Sequence, residues 1–392
     1  MKIVCISASR VPSTTANSIQ VMKACQAISQ LGHEVHLFVP KHNHQLKELD
    51  LPSLYGLNTQ FTIEWLASPT GFHRYDFAFN AVRLARHMKA DLTYVWFLQA
   101  GVFSLLARLP VIIELHGPPE GRFGPSLFRL FQKIPGKKRL LAITQALAGL
   151  LDENFNFGVD NRGLIRISPN GVDLERYKDL PEAPAARSAL GLPPALTVGY
   201  TGHLYPGRGM TMLTELASCY PRINFLWVGG NDQEINLWRE RLTARNIGNI
   251  NMTGFIKNEQ LPMYQAAADI LLMPYERVIT GSSGGNSSAY ASPMKMFEYM
   301  ASRRAIISSD LPVIREVLNP TNAMLCPAED IEAWCQALGD LILDEARRQA
   351  LADQAWLDIQ QYTWLERAHK ALDGFPDPAE VPSGDRILTN EP

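Results

Sequence analysis

Short apolar runs alternate along this chain with segments of helical period, and that alternation constrains the fold more than any other feature. Ile3–Ile6, Val35–Val39, Leu92–Phe97, Val111–Leu115, Leu140–Ile143 and Leu164–Ile167 read as strands. After the first of them a polar loop leads to Val21, Met22, Cys25, Ile28 and Leu31, spaced three and four apart until Gly32 ends the pattern. That is strand, loop and helix with a glycine C-cap. Strands separated by helices imply a parallel sheet covered on both faces, an α/β architecture. The alternation pauses at Leu180-Pro181-Glu182-Ala183-Pro184 and Gly191-Leu192-Pro193-Pro194, clusters suited to a linker. It restarts with Leu196–Tyr200, Ile223–Val228, Ile250–Thr253, Ile270–Met273 and Ala305–Ser308. A chain of 392 residues exceeds what one core usually organises. The reading is two doubly wound domains, residues 1–184 and 185–360, and a proline-rich disordered tail over 376–392.

Bulk properties exclude several classes. A net charge of −2 with 19% charged residues offers no global attraction to nucleic acid. The five cysteines are odd in number and lack metal-ligand spacing, which favours a reducing cytoplasm. Met1–Ser7 reads as a first strand and not as a signal peptide, and Leu92–Ala107 is interrupted by Gln99, Gly101 and Ser104, too short for a membrane span. No carboxylate cluster suggests a metal, and no cofactor is expected.

Doubly wound sheets bind ligands at the carboxyl ends of their strands, so two facing domains share a cleft. The strongest candidate segment is Ser292-Pro293-Met294-Lys295-Met296-Phe297-Glu298-Tyr299-Met300-Ala301. With Ser292 as N-cap and Pro293 as first helical residue, the helix start would offer free N–H groups and its positive dipole end to a diphosphate. Glu298, one turn beyond Met294 on the same face, would accept from ribose hydroxyls. A surface pair between Glu298 and Lys295 is the equal alternative. The loop Gly202-His203-Leu204-Tyr205-Pro206-Gly207-Arg208-Gly209 carries a planar donor fork in Arg208, against the alternative of an ordinary strand-to-helix turn. Glu114-Leu115-His116-Gly117 puts His116 at a strand end facing the cleft, where a purely structural histidine is the competing reading; Tyr94 and Trp96 read as core. Between 122 and 139, Arg122, Arg129, Lys133, Lys137, Lys138 and Arg139 occur without an acid, and Leu127, Leu130, Phe131 and Ile134 share one helical face. The element suits either an anionic membrane holding a lipid-linked acceptor or a packed helix with a basic edge.

In order and spacing these motifs resemble the family 4 glycosyltransferases, retaining enzymes of GT-B fold with two Rossmann-like domains facing across a cleft. The resemblance rests on Ala268–Tyr275, Ser292–Ala301 and Ser309–Pro312, with support from Gly32–Val35, Glu114–Gly117, Pro169–Asp173, Tyr200–Gly202 and Arg208-Gly209. It implies a first domain for the acceptor and a second for the nucleotide sugar. It implies Glu298 on the donor ribose, Ser292, Pro293, Met294, Lys295 and Met296 at the diphosphate and sugar, and Gly254, Phe255 and Ile256 beside the nucleobase. His203 and Arg208 then stand with Gly202 where members commonly carry Arg and Lys on the diphosphate. His116 would contact the transferred sugar, and Thr15, Ala16, Asn17, Glu114 and Gly117 would border the acceptor side. His116, Glu298 and Arg208 form the implied catalytic set. Many members carry a second glutamate where this chain has Tyr290; the Ser-Pro-x-Lys subgroup often lacks it. Thr280–Ser288 reads as a loop that orders over donor, and Tyr362–Ala368 resembles the family's last helix, crossing back to the first domain within residues 361–375. The implied chemistry is metal-independent, same-face displacement of a nucleoside diphosphate by an acceptor hydroxyl, in a cytoplasmic protein. A catalytically silent nucleotide-sugar binding subunit and a nucleotide-sugar epimerase are the rivals.

Overall fold

The computed structural model describes residues 1–41, 50–68, 74–156, 164–279 and 286–375. The expected tail and residues 280–285 of the expected loop lie outside these. Seven strands, β1 (Lys2–Ile6), β2 (Glu34–Pro40), β3 (Thr62–Leu66), β4 (Leu92–Val95), β5 (Val111–Leu115), β6 (Lys138–Ala142) and β7 (Ile165–Ile167), form one parallel sheet in the order β3-β2-β1-β4-β5-β6-β7. Six more, β8 (Thr197–Thr201), β9 (Asn224–Val228), β10 (Ile250–Met252), β11 (Ile270–Met273), β12 (Ala305–Ser309) and β13 (Met324–Cys326), form a second in the order β10-β9-β8-β11-β12-β13. Central strands are buried along their whole length, as in Val111–Leu115 and Ile270–Met273, which is why they read as unbroken apolar runs. Strand order reverses between β1 and β4 and again between β8 and β11, so the loops leaving those strands diverge and open a crevice at the end of each sheet.

The chain crosses between the two units at two adjacent places. Val172 bonds to Tyr362 and Trp364 through N–H···O contacts of 3.0 and 3.1 Å, and a side chain at Gly171 would lie 2.9 Å from the Thr363 carbonyl carbon. Beyond that crossing the helix Trp364–Leu372 packs on the first sheet's side, where Trp364, Ala368, Ala371 and Leu372 join a core with Val21, Cys25 and Leu37.

The helix Gly124–Lys133 corrects the expected face. Phe128 and Phe131 are its buried residues, whereas Leu130 is 44% exposed. Most of the basic set is engaged within the protein, Arg129 by lying over the Phe155 ring at 5.6 Å. Lys138 caps the helix end by donating to the carbonyls of Phe131, Gln132 and Ile134 at 2.9, 2.6 and 2.7 Å, and buried Arg139 donates to Ala371 and Asp373; Lys137 is also engaged. Among the described residues no helix is long and apolar enough to cross a membrane.

Candidate active site

The two crevices face each other across one cavity of about 880 Å³. The first sheet contributes the loop after β1 and the start of the helix Ala16–Gln30, with Thr15, Ala16 and Asn17, then Trp96 after β4 and His116 after β5. The second contributes Gly202, His203, Tyr205 and Arg208 after β8, Phe255 and Ile256 after β10, Tyr275 after β11, and Ser292 to Lys295 with Glu298 before β12.

The helix Met294–Ala301 starts one residue later than expected. Pro293 is its N-cap, with φ −69° and ψ 124°, and no side chain caps it. Ser292 is used elsewhere: its hydroxyl oxygen accepts from the Asn170 backbone N–H at 3.1 Å, and its carbonyl accepts from Asn170 Nδ2 at 2.6 Å. The Met296 N–H donates to the Pro293 carbonyl at 3.1 Å, while those of Met294 and Lys295 stay uncapped at the cavity wall, where an anion is favoured.

Lys295 does not pair with Glu298. Its Nζ lies 4.0 Å from the Tyr200 ring centroid and 5.5 Å from that of Tyr275. Burial pushes its amine well below the usual lysine value, Arg208 adds to this, and Glu298 opposes it only in part. Arg208 lies over the rings of Tyr205 and Tyr275, at 5.0 and 5.3 Å, and donates to the Tyr205 hydroxyl at 2.8 Å. Burial works against its charge, yet Tyr275 and Tyr205 hold it above the ordinary arginine value. The turn carrying it needs Gly209, which has φ +73° and sits where a Cβ would fall 1.8 Å from the Pro274 carbonyl oxygen. Glu298 accepts from Gln265 Nε2 at 3.3 Å; burial pushes its carboxyl up, and Arg176, Gln265, Lys23 and Lys295 offset only part of that. His203 stacks on Tyr205 with ring centroids 5.2 Å apart, and burial pushes its imidazole down.

Across the cavity His116 bonds through Nε2 to Glu114 Oε1 at 2.6 Å. Glu114 itself is fully buried behind the histidine and does not line the cavity. Gly117 packs under Tyr290, whose ring a Cβ there would approach to 3.0 Å, and neither residue lines the cavity. Gly254 ties its loop to β9 by accepting from Gly229 N–H at 2.9 Å, leaving Phe255 and Ile256 to face the space. Met296 is buried in the core beneath its helix. Trp96, read as core from the sequence, is half-buried at the cavity wall, while Tyr94 is core. Sequence reasoning missed Gln20 and Gln265 altogether and gave no role to Arg367, Tyr200 and Tyr275, although these lie in the quoted segments Tyr362–Ala368, Tyr200–Gly202 and Ala268–Tyr275. Asn170 carried a signal, since it lies in the quoted Pro169–Asp173 motif.

With this geometry in view, comparison with known proteins is decisive. The family model described as Glycosyltransferase Family 4 matches residues 18–176, and that described as Glycosyl transferases group 1 matches 195–344. The chain belongs to the family 4 glycosyltransferases. It is 26% identical over 209 residues to a protein named as a teichuronic acid biosynthesis glycosyltransferase, TuaH, of Bacillus subtilis, covering 50% of each chain. It is 24% identical over 249 residues to the D-inositol 3-phosphate glycosyltransferase of Corynebacterium urealyticum, covering 60% of this chain and 55% of that one. These matches thus span about half the length of the two relatives. The solved structure of Anabaena HepE in complex with UDP-glucose superposes with a TM-score of 0.70 at 17% identity, covering 95% of this chain and 98% of that one. The fold is GT-B. In this family 4 member the first matched segment carries His116 and Asn170, and the second carries Arg208.

Proposed function

We propose that this family 4 member moves a sugar from a nucleoside diphosphate sugar to an acceptor hydroxyl, with retention at the anomeric carbon. The observation that carries the reading is the convergence of two aromatic-seated basic side chains, Arg208 and Lys295, with an uncapped helix start at one end of the cavity. A diphosphate fits between them, and as its bond to the sugar breaks they stabilise the charge on the leaving oxygen. These protein cations supply the neutralisation, and the transfer needs no metal. Glu298 accepts from the ribose hydroxyls, Phe255 and Ile256 flank the base, and His116 contacts the sugar. The acceptor hydroxyl enters from the Thr15–Asn17 side and attacks the face from which the diphosphate departs, so that positioning provides most of the rest. The binding of UDP-glucose by HepE makes UDP-sugars the first donors to try.

The test is a thermal-shift screen of UDP-, GDP- and ADP-sugars followed by assignment of the product anomer by NMR, with and without a metal chelator. Stabilisation by one nucleotide series, a retained anomer and turnover unaffected by chelation are expected. Absence of any nucleotide-dependent shift overturns the reading.

The acceptor, we further propose, is lipid-linked and reached at an anionic membrane surface. Arg129, Lys133 and Leu130 share the outer face of the helix Gly124–Lys133, with exposed Arg122 and Phe123 just before it. At about 1 kcal/mol per basic residue, three exposed cations give a weak, salt-sensitive attachment. Flotation with anionic liposomes is expected and should be lost on charge reversal at Arg129 and Lys133; flotation that survives reversal removes the membrane from the proposal.

A further inference from the structure

The most enclosed charge of the first domain lies behind His116. Glu114, on β5, is fully buried, and four side chains donate to its carboxylate: His116 Nε2 at 2.6 Å, Tyr94 OH at 2.5 Å, Arg367 Nη2 at 2.7 Å, and Gln20 Nε2. They come from the loop after β5, from β4, from the helix Trp364–Leu372 and from the helix Ala16–Gln30. An ionised carboxylate only accepts hydrogen bonds, so the ring nitrogen facing it must carry a proton. In the neutral ring Nδ1 is then an acceptor. His116 lines the cavity, and its Nδ1 has no hydrogen bond to a described residue. It is therefore available to a sugar hydroxyl.

Burial pushes the Glu114 carboxyl up, and Arg367, ahead of His116 and Tyr94, brings it back to about 2. The other titratable groups facing Glu114 are Tyr94 on β4 and Cys25 on the helix Ala16–Gln30, both pushed up by burial and hence neutral. Arg367 is the permanent cation of the cluster. Its Nε also donates to the Pro169 carbonyl at 2.8 Å and its Nη2 to that of Ser168 at 3.3 Å. Those residues immediately precede Asn170, which fixes the entry of the donor-side helix through Ser292.

We propose that Arg367 is a positioning residue for the reaction: by holding Glu114 as an ionised acceptor it fixes His116 with Nδ1 free for substrate, so the first-domain half of the site is complete only when the C-terminal helix is docked. The proposal rests on the reading of His116 as a sugar contact. A readout independent of turnover separates the two.

That readout is the tautomer of His116, followed by NMR of protein labelled with 15N at its nine histidines and assigned through the signal lost in His116→Gln. The neutral wild-type ring is expected to be in the Nε2–H form. Arg367→Met is expected to release it to a mixture of forms, to lower kcat about 10- to 100-fold, as when the partner orienting a functional imidazole is removed, and to leave the donor KM unchanged. It should also add an acid limb to the pH profile as Glu114 begins to titrate. Arg367→Lys is expected to restore the tautomer and part of the rate, which a merely structural role would not require. If Arg367→Met does not fold, Glu114→Gln gives the same reading, because an amide presents both donor and acceptor to the ring. An unchanged His116 spectrum in the folded variant overturns the proposal. A released tautomer with wild-type kcat instead removes His116 from the proposed reaction.

Discussion

Two buried clusters, each an acid with basic neighbours, lie on opposite sides of the cavity, and they are wired differently. Around Glu114 the acid is surrounded by four donors, and its cation Arg367 is 2.7 Å away; the carboxyl is held at about 2. Around Glu298 the acid keeps one weak side-chain donor, Gln265, while Lys295 lies over aromatic rings instead of against the carboxylate. There both groups move away from their charged forms, Glu298 upward and Lys295 downward. A satisfied buried pair holds structure; an unsatisfied one stores free energy that an incoming ligand can recover. In the proposed reaction the first cluster is scaffold and the second is the receptor for the donor.

The largest effect that would break this contrast is on stability. Arg367→Met leaves the Glu114 charge uncompensated and should cost about 3–5 kcal/mol in urea denaturation. Lys295→Met, which removes a group already disfavoured as a cation, should leave stability unchanged or raise it. Equal losses in the two variants would erase the distinction. On activity the order reverses: Glu298→Ala and Arg208→Ala are each expected to lower kcat/KM by about 100-fold or more, the scale for losing a charge-stabilising contact, with melting temperature preserved. Wild-type-like turnover in both would remove the donor site from where it is proposed.

The pH dependences sharpen the contrast further. Glu114 has a folded value of about 2, below its unfolded value of about 4.3. Its contribution is therefore complete above the unfolded value and is lost as pH falls from there toward 2. Acid unfolding should be steeper for the wild type than for Glu114→Gln over that window. Lys295 behaves oppositely, with its folded value lowered, and a bound diphosphate would return it to the charged form. Calorimetry in buffers of different ionisation heat should detect proton uptake on donor binding that is smaller in Lys295→Met. Uptake unchanged by that substitution assigns the proton to another group.

How much of this was legible in the sequence depended on where each residue sits. Central strands such as Val111–Leu115 and Ile270–Met273 showed as apolar runs because both faces are covered. The two strands that gave no signal, β3 and β13, are both at sheet edges, but exposure is not the whole reason, since the edge strands β7 and β10 have no buried residue and were still read from Leu164–Ile167 and Ile250–Thr253. The donor segment was readable because its residues are contiguous, yet its N-cap was misplaced by one. No local rule reveals that Asn170 has already taken Ser292. Leu130 fitted the expected helical face by spacing, but Phe128 joins the expected Phe131 in the core and Leu130 stays exposed. Arg367 lies in the quoted segment Tyr362–Ala368, yet its role was invisible: its partners Tyr94 and Glu114 lie far upstream, and only the chain's return brings a cation to them.

That return has a bearing on how the protein is born. Arg367 lies 273 residues after Tyr94, so a nascent first sheet leaves the ribosome with Glu114 buried or waiting and its counter-charge still untranslated. Domains generally condense in the order they are made, but here the earliest one can be finished only by one of the last described helices to emerge. A product truncated between residues 298 and 364 would own every group named at the cavity wall and still lack the cation behind His116.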